Sequence, residues 1–329
     1  MHDLASATRG IEVGVVLRDV DLRAHRGRLG ALAATAVAAG VDHLTVGDHV
    51  SFAGGLGADG LVQATALLAA HPDVHVQTGV YLIALRHPAI VARQLATIAE
   101  LAPGRLTFGV GVGGDDPREL ELCGVDPRTR GARTSEALRL VRELLTGDEV
   151  TFEGRFFQVD RGAIRPAPDP PIPVLIGGRA DAALTRTGRL GEGWLALWVS
   201  PRRYAEAVDR VSEAAEAAGR FDVDWRHTLQ LWTGIDRSRE AAVARLRPVM
   251  ERAYGLPFER FERYCPCGTP DDIAAALEPY VAAGCRRFNF VCEAEDLDAA
   301  IEGVAAIADH FDIEHTRGEE PNVHTRLPA

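Results

Sequence analysis

The stretch PAIVARQLATIAELAPGRLTFGVGV (Pro88–Val112) contains a helix pattern followed directly by a strand pattern. Pro88 is a residue type that favours the first turn of a helix, and Val91 and Leu95 fall on one apolar stripe at helical spacing. Gly104 ends the predicted helix, and the run of β-branched and aromatic residues after it is typical of a buried strand. A helix joined to a strand in this way is the repeating unit of an α/β protein.

The same alternation of short strand runs and longer helical runs extends along the chain. Eight strand–helix units predict a (β/α)8 TIM barrel of the α/β class, and VTFEGRFFQVD (150–160) adds two short β runs that predict an inserted hairpin. We predict one barrel domain over 10–313 and a polar tail over 314–329. The predicted strands are IEVGVVL (11–17), DHLTVGDH (42–49), VHVQTGVYLI (74–83), RLTFGVGV (105–112), IPVLIGG (172–178), GWLALWVS (193–200), RHTLQLWTGI (226–235) and CRRFNFVCE (285–293).

The composition excludes several classes of protein. The net charge is −11, which argues against a nucleic-acid partner. No apolar run approaches the roughly 20 residues that a membrane span needs, and the first residues contain no secretory pattern, so we expect a cytoplasmic protein. All 36 basic residues are arginine, so a lysine Schiff base and a P-loop are excluded. No carboxylate–histidine cluster has metal-ligand spacing, and we predict no metal site.

Gly109, Gly111 and Gly114 form a G-x-G-x-x-G pattern that is often assigned to dinucleotide binding. Such a site needs a helix that opens inside the glycines and an acidic residue about 20 positions later. Here two prolines and turn residues follow, and the next long helix begins near Arg133. We therefore place the glycines at the C-terminal end of the fourth barrel strand. There they either let a flat ligand approach the backbone or relieve a crowded barrel layer.

Four blocks of the sequence resemble the luciferase-like flavin or deazaflavin oxidoreductases, over roughly 11–311. The motifs GDH (47–49) and LRHP (85–88) bring the chain closest to members that use the deazaflavin coenzyme F420. The resemblance implies an F420-dependent oxidoreductase that moves a hydride between the deazaflavin C5 and a small organic substrate, and it implies a homodimer packed through helices near the second and third strands. The alternatives are an FMN-dependent monooxygenase and a non-catalytic flavin- or deazaflavin-binding protein. The blocks are 46–49, 78–114, 172–194 and 268–284.

The resemblance implies a proton donor or acceptor at His49, with Asp48 before it at the end of strand two. From the residue alone, His49 either exchanges protons, as imidazoles do near neutral pH, or caps a buried hydrogen-bond network. Thr78, Gly79 and Val80 match the point on strand three where F420-using members often have a non-proline cis peptide. The sequence itself leaves open an ordinary bulge at Gly79.

Two further segments match the family near the cofactor. Val112, Gly113 and Gly114 correspond to the edge of strand four beside the cofactor ring. The loop after strand five corresponds to the region near the cofactor's polar tail, and the residues are Gly177, Gly178 and Arg179. Two glycines and an arginine before a helix are typical of an anion site, although a plain strand-to-helix turn is the alternative.

Gly114 is the main departure from the family pattern. Some F420-using dehydrogenases have a glutamate at this position, whereas here Asp115 and Asp116 only follow it. The chain also has no lysine with which to bind a sugar phosphate. Both observations put a sugar-phosphate dehydrogenase mechanism in doubt. We also expect Arg86 to pair with an acid across the barrel mouth, and the loop after strand seven and the 150–160 hairpin to select the substrate.

Overall fold

A computed structural model describes residues 10–52, 54–113 and 116–318. Its strands are β1 (Glu12–Leu17), β2 (His43–Val46), β3 (His49–Phe52), β4 (Leu56–Ala58), β5 (Val76–Thr78), β6 (Leu106–Val110), β7 (Val150–Glu153), β8 (Gln158–Gly162), β9 (Val174–Gly177), β10 (Gly193–Leu197), β11 (Thr228–Ile235), β12 (Cys267–Gly268) and β13 (Arg287–Glu293). Its α-helices are α1 (Asp19–Ala24), α2 (Leu29–Ala39), α3 (Gly60–Ala70), α4 (Pro88–Leu101), α5 (Pro117–Leu122), α6 (Arg130–Leu144), α7 (Asp181–Leu190), α8 (Pro201–Glu216), α9 (Arg239–Tyr254), α10 (Pro270–Ala282) and α11 (Leu297–Gly318).

Eight parallel strands close into a barrel in the order β1, β2, β5, β6, β9, β10, β11 and β13, and β13 pairs with β1. The register places Val15 beside Leu44 on one side and Phe290 on the other. These three side chains are buried in the main hydrophobic core. The predicted (β/α)8 TIM barrel is therefore confirmed.

The helix ends follow local rules that the sequence already displays. Pro88 begins α4, and the His87 side chain accepts a hydrogen bond from the Ala89 N–H at its start. Gly40 ends α2 in the left-handed conformation at φ 86°, which glycine adopts without a steric penalty. Within the described ranges, no helix is both long and apolar enough to cross a membrane. The last helix, α11, continues through Gly318 into the segment that the sequence predicts to be a tail.

The inserted hairpin is also confirmed, as β7 and β8 pair antiparallel. A buried carboxylate on α6 holds its turn in place. Glu136 accepts hydrogen bonds from the backbone N–H groups of Arg155 at 3.0 Å, Phe156 at 2.7 Å and Phe157 at 2.8 Å. The hairpin is therefore anchored to the helical layer.

Several predicted strand limits differ from the structure, and two of the differences bear on the candidate site. Strand two ends at Val46, and His49 instead begins β3, which forms a separate antiparallel pair with β4. Strand three ends at Thr78, where the chain leaves the ladder at the peptide bond between Gly79 and Val80. After Thr78 the apolar composition continues through Val80–Ile83, so the residue pattern did not reveal where the pairing stops, whereas after Val46 the polar Asp48 and His49 already follow Gly47.

Candidate active site

The segments that the sequence singled out lie together at the C-terminal ends of the barrel strands. Asp48 and His49 follow β2, and Gly79 and Val80 follow β5. The loops after β6 and β9 carry the remaining residues, which are Val112, Gly113, Gly177, Gly178 and Arg179. Gly114 lies outside the described residues. Parallel strands direct all these loops to one face of the barrel, where active sites of this fold are built.

The Gly79–Val80 peptide bond is cis, so the structure shows the first of the two alternatives for this position. Val80 packs over glycines of the neighbouring strands. A Cβ atom at Gly111 would lie 2.3 Å from Val80 Cγ2, and one at Gly177 would lie 3.0 Å from Val80 Cγ1. Glycine at these two positions therefore leaves the space that the Val80 side chain occupies.

Gly109 is required by the packing between β5 and β6. A Cβ atom there would lie 1.8 Å from the carbonyl oxygen of Thr78, far inside van der Waals contact. The buried Thr78 hydroxyl also donates to the Gly109 carbonyl at 2.8 Å. At Gly109 and Gly111 the structure thus favours the interpretation that glycine relieves crowding within a layer of the barrel. It also gives the Thr78 side chain a partner within the barrel wall.

Asp48 is 3 % exposed, and both of its carboxylate oxygens are bound by the protein. Arg86 binds them in a bidentate manner, with N–O distances of 2.6 and 2.8 Å. The backbone N–H groups of Gly60 at 2.9 Å and Leu82 at 2.8 Å donate to the same carboxylate. Burial raises the pKa of the Asp48 carboxyl, and the Arg86 charge opposes that rise. Asp48 therefore ties the segment before His49 to the segment after the cis peptide.

The expected partner of Arg86 is thus Asp48, and Asp59 at the start of α3 is a second one at 3.0 Å. The guanidinium also lies over the Tyr81 ring, 4.4 Å from its centroid. Arg86 consequently cross-links three segments at the barrel mouth.

His49 meets a buried carboxylate that sequence reasoning missed. Its Nδ1 lies 3.3 Å and 3.2 Å from the Oε1 and Oε2 atoms of Glu119 on α5. Oε1 also accepts the N–H groups of Val50 at 2.7 Å and Ser51 at 3.1 Å. Glu119 is 3 % exposed whereas the His49 side chain is 39 % exposed. The Glu119 carboxylate is therefore buried beneath the His49 ring, and the ring itself remains exposed at the barrel mouth.

A signal for Glu119 was present in the sequence. Asp116, Pro117 and Glu119 occupy the N-cap, first and third positions of α5, a spacing that marks helix starts. The two prolines and the preceding glycines nevertheless predict turns over this segment. The six-residue helix is too short to show an apolar stripe.

The loop after β9 presents backbone and side-chain positive groups. Gly178 has a φ of 118°, and its carbonyl accepts the buried Trp194 indole N–H at 2.7 Å. Arg179 is exposed, and Ala180, the N-cap of α7, has no side chain that could accept the first N–H groups of that helix. The arrangement is suited to an anion.

Aromatic side chains line the mouth on the side of β10 and β11. Trp232 lies two positions after Gln230 on β11. The side-chain oxygen of Gln230 would be 3.2 Å from a Cβ atom at Gly79. The Trp232 indole N–H donates to the Tyr254 hydroxyl at 3.0 Å. A pocket of about 220 Å³ between β11 and α10 is lined by Trp198 and Tyr264. The aromatic lobe comprises Trp198, Trp232, Tyr254, Phe261 and Tyr264.

Within the part of the chain that the structure describes, no three His, Cys, Asp or Glu side chains converge as a metal-binding group. The five cysteines are free thiols. Burial raises the pKa of the Cys265 thiol to about 12, which keeps this residue of the aromatic-lobe loop uncharged. The chemistry available at the mouth is therefore that of His49, Glu119, arginine and backbone groups.

Comparison with known proteins identifies the family and agrees with the fold. The family model for luciferase-like monooxygenase matches residues 12–287. An uncharacterized protein of Mycobacterium tuberculosis is 38% identical over 147 residues, 45% of this chain, and the chain spans about half (50%) of that relative's length. An F420-dependent glucose-6-phosphate dehydrogenase of Beutenbergia cavernae is 31% identical over 294 residues, 81% of this chain and 88% of the relative.

Among solved structures, an F420-dependent secondary alcohol dehydrogenase in complex with an F420–acetone adduct superimposes with a TM-score of 0.77. It is 22% identical in sequence, and the match covers 90% of this chain and 99% of that one. This likeness concerns the fold. The match of the family model over most of the chain shows that the protein belongs to the luciferase-like monooxygenase family.

Proposed function

We propose that this protein is an F420-dependent oxidoreductase that transfers a hydride between the deazaflavin C5 and a small organic substrate. The observation that carries the proposal is the half-exposed His49 ring, which a buried carboxylate holds at the barrel mouth. The name of the Beutenbergia cavernae relative supports F420 as the cofactor.

The mouth fits a cofactor with a flat apolar ring system and an anionic tail. Val80 offers a half-buried apolar surface packed against Gly177, while Arg179 and the first N–H groups of α7 offer positive charge. Gly113 lies three positions after the end of β6 and is half-buried. On the family resemblance we propose that Val112, Gly113 and Gly114 contribute to cofactor binding. Bound F420 would supply the carbon that accepts or donates the hydride.

His49 moves the proton that accompanies hydride transfer. Its ring is exposed on one side and held by Glu119 on the other, so it can take a proton from a substrate atom or return one. Asp48 acts indirectly, because Arg86 and two backbone N–H groups already occupy its oxygens.

A binding and turnover assay with the purified protein tests the proposal. We expect tight titration by F420, no FMN binding, and a His49→Ala variant that retains F420 but loses about 10²-fold or more in hydride-transfer rate. His25→Ala, on α1's C-cap, is the matched control and should behave as wild type. If His49→Ala turns over at the wild-type rate, the assignment of His49 is wrong.

Two alternative functions give distinct outcomes in the same assay. NADH- and FMN-dependent oxygen uptake would identify an FMN-dependent monooxygenase. F420 binding without turnover of a broad panel of alcohols and carbonyl compounds would identify a non-catalytic deazaflavin-binding protein.

We further propose a homodimer that packs through the helices after β2 and β5. Val62 on α3 is 64% exposed and Ile90 on α4 is 60% exposed, although both are apolar. We expect Val62→Glu to halve the mass measured by light scattering, whereas Phe221→Glu, at a side chain 74% exposed beyond α8, leaves it unchanged. A monomeric wild-type mass would refute the dimer.

We also propose a cytoplasmic location. Five cysteines without a disulfide are the composition expected of a reducing compartment. Fractionation of cells that produce the native chain, with a periplasmic marker as control, tests this.

A further inference from the structure

We propose that Glu119 is a positioning residue that fixes the tautomer of His49, so that the proton exchanged with substrate resides on His49 Nε2. The inference deepens the proposed oxidoreductase function and rests on it for its catalytic meaning. It assigns an acid of this site to α5, whereas some F420-using dehydrogenases of the family have a glutamate at the position of Gly114.

The geometry defines which atom of Glu119 does what. Oε1 accepts the Val50 and Ser51 N–H groups at 2.7 and 3.1 Å, and Oε2 lies 3.2 Å from His49 Nδ1. Both backbone N–H groups belong to β3, the strand that His49 begins. The carboxylate therefore holds the strand through Oε1 and contacts His49 Nδ1 with both oxygens, at 3.3 and 3.2 Å.

The chemistry of these groups sets the position of the proton on the ring. The Glu119 carboxylate accepts two backbone N–H groups, and an ionised carboxylate can only accept hydrogen bonds. His49 Nδ1 must then carry a hydrogen and donate it to Glu119. In the neutral ring the lone pair consequently resides on Nε2, the nitrogen that can accept a proton from substrate.

The burial of Glu119 makes this arrangement durable. A carboxylate that is 3% exposed keeps its charge only if hydrogen bonds satisfy it, and two of its three donors are fixed backbone groups. When Nε2 takes up a proton, the ring becomes an imidazolium beside that carboxylate, which stabilises the new charge. Release of the proton from Nε2 restores the neutral ring with Nδ1–H unchanged.

The ring is also confined from the side. The His49 ring stacks on Phe52 of the same short strand, with centroids 4.5 Å apart and planes 29° apart. Stacking restricts rotation of the imidazole, and the Glu119 contact selects which nitrogen faces inward. Both contacts come from this chain and exist without a bound cofactor.

The isosteric Glu119→Gln variant tests the inference directly. The two backbone N–H groups still require an acceptor, so the glutamine oxygen stays on them and its NH2 group takes the place of Oε2. That NH2 group donates to His49 Nδ1 and forces the hydrogen onto Nε2. We expect long-range 1H–15N spectra of cofactor-free protein to show His49 as Nδ1–H in wild type and as Nε2–H in the variant.

Controls keep the outcome interpretable. His49→Gln identifies the ring signals, and Glu121→Gln, on the exposed side of the same helix, should leave the wild-type tautomer. An unchanged circular dichroism spectrum shows that Glu119→Gln has folded. If wild type shows His49 as Nε2–H, or if Glu119→Gln leaves the tautomer unchanged, the inference is overturned.

Kinetics with F420 separate this inference from the proposed function. We expect Glu119→Gln to lower kcat by roughly 10²–10⁴-fold while the KM for F420 stays within about twofold, since an incorrectly protonated base impairs proton transfer and not cofactor binding. Equal rates for the variant and wild type would overturn the catalytic role. Absence of F420 binding in every protein would instead refute the proposed function, while the tautomer result would stand.

Discussion

At the scale of single residues, Asp48 shows how one buried charge organises the barrel mouth. Four hydrogen bonds converge on its carboxylate, two from Arg86 and two from backbone N–H groups. The partners come from segments that follow different strands. A carboxylate buried in this way is tolerated because both of its oxygens accept hydrogen bonds. It destabilises the folded protein when one of its partners is removed.

Arg86→Ala should therefore be strongly destabilising. The substitution leaves the Asp48 carboxylate buried without its counter-charge, and we expect a loss of about 3–5 kcal/mol in the free energy of unfolding. Urea denaturation measures this loss. Arg118→Ala, which removes an exposed ion pair with Asp116, should leave stability close to that of the wild type. Similar losses in both variants would contradict the role of Arg86.

A second buried titratable group lies in the barrel interior. Burial and the Arg287 charge lower the pKa of His43 to about 3, and the ring contacts Asn289. The pKa of an unfolded histidine is near 6.5. Below that pH the unfolded chain therefore binds a proton that His43 of the folded protein does not bind. Stability from this group is present above pH 6.5 and is lost as the pH falls towards the folded pKa.

We therefore predict that His43→Gln flattens the pH dependence of stability. Between about pH 6 and 4, one proton contributes a slope of about 1.4 kcal/mol per pH unit, which the variant lacks. Denaturant unfolding of both proteins at several pH values gives the difference. Parallel curves for wild type and variant would show that His43 is not the responsible group.

At the scale of elements, the junction of β5 and β6 is the tightest part of the mouth. Gly109 lies against the Thr78 carbonyl, and Gly111 lies under Val80. The helix that follows, α5, is six residues long and would not be stable alone. Its position is maintained by tertiary contacts, and the bonds from Glu119 to β3 are the clearest of them.

Gly109→Ala should disrupt this junction. The added Cβ would lie 1.8 Å from a backbone oxygen that cannot move without breaking the sheet, so we expect a cost above the roughly 1–3 kcal/mol of ordinary overpacking. Gly47→Ala is the matched control, because a Cβ there meets nothing within 4 Å. Unfolding midpoints of the two variants should differ clearly, and equal midpoints would show that the junction can relax.

At the scale of the whole molecule, the absence of lysine restricts which substrates can bind. Every cation in the chain is an arginine or a histidine. In the aromatic lobe, Arg239 pairs with Glu262 at 3.1 Å, and Arg247 pairs with Glu259. These two guanidinium groups are neutralised by carboxylates, and Arg263, which also lines the pocket, lies over the Tyr264 ring at 4.5 Å from its centroid. With two of the three arginines paired, we expect the lobe to be better suited to an uncharged substrate than to a phosphate.

Glucose 6-phosphate should consequently be a poor substrate, despite the names of several relatives. We expect no reduction of F420 above background when glucose 6-phosphate is added, as followed by the loss of F420 absorbance. The Beutenbergia cavernae enzyme serves as the positive control in the same assay. Turnover comparable to that control would contradict the prediction. It would show that the paired arginines of the aromatic lobe do not exclude a phosphate-bearing substrate.

The sequence by itself determined the barrel and the inserted hairpin, because apolar periodicity, helix caps and turn residues are local properties. It also predicted the face at which the candidate site residues gather, since successive strands of such a barrel point the same way. It also placed His49 and the Gly79–Val80 bond near the correct strand ends. Only the tertiary structure decided that Glu119, 70 residues from His49, supplies the carboxylate beneath its ring. Closure of the barrel brings the loops after strands two and four together, and no local pattern records that contact.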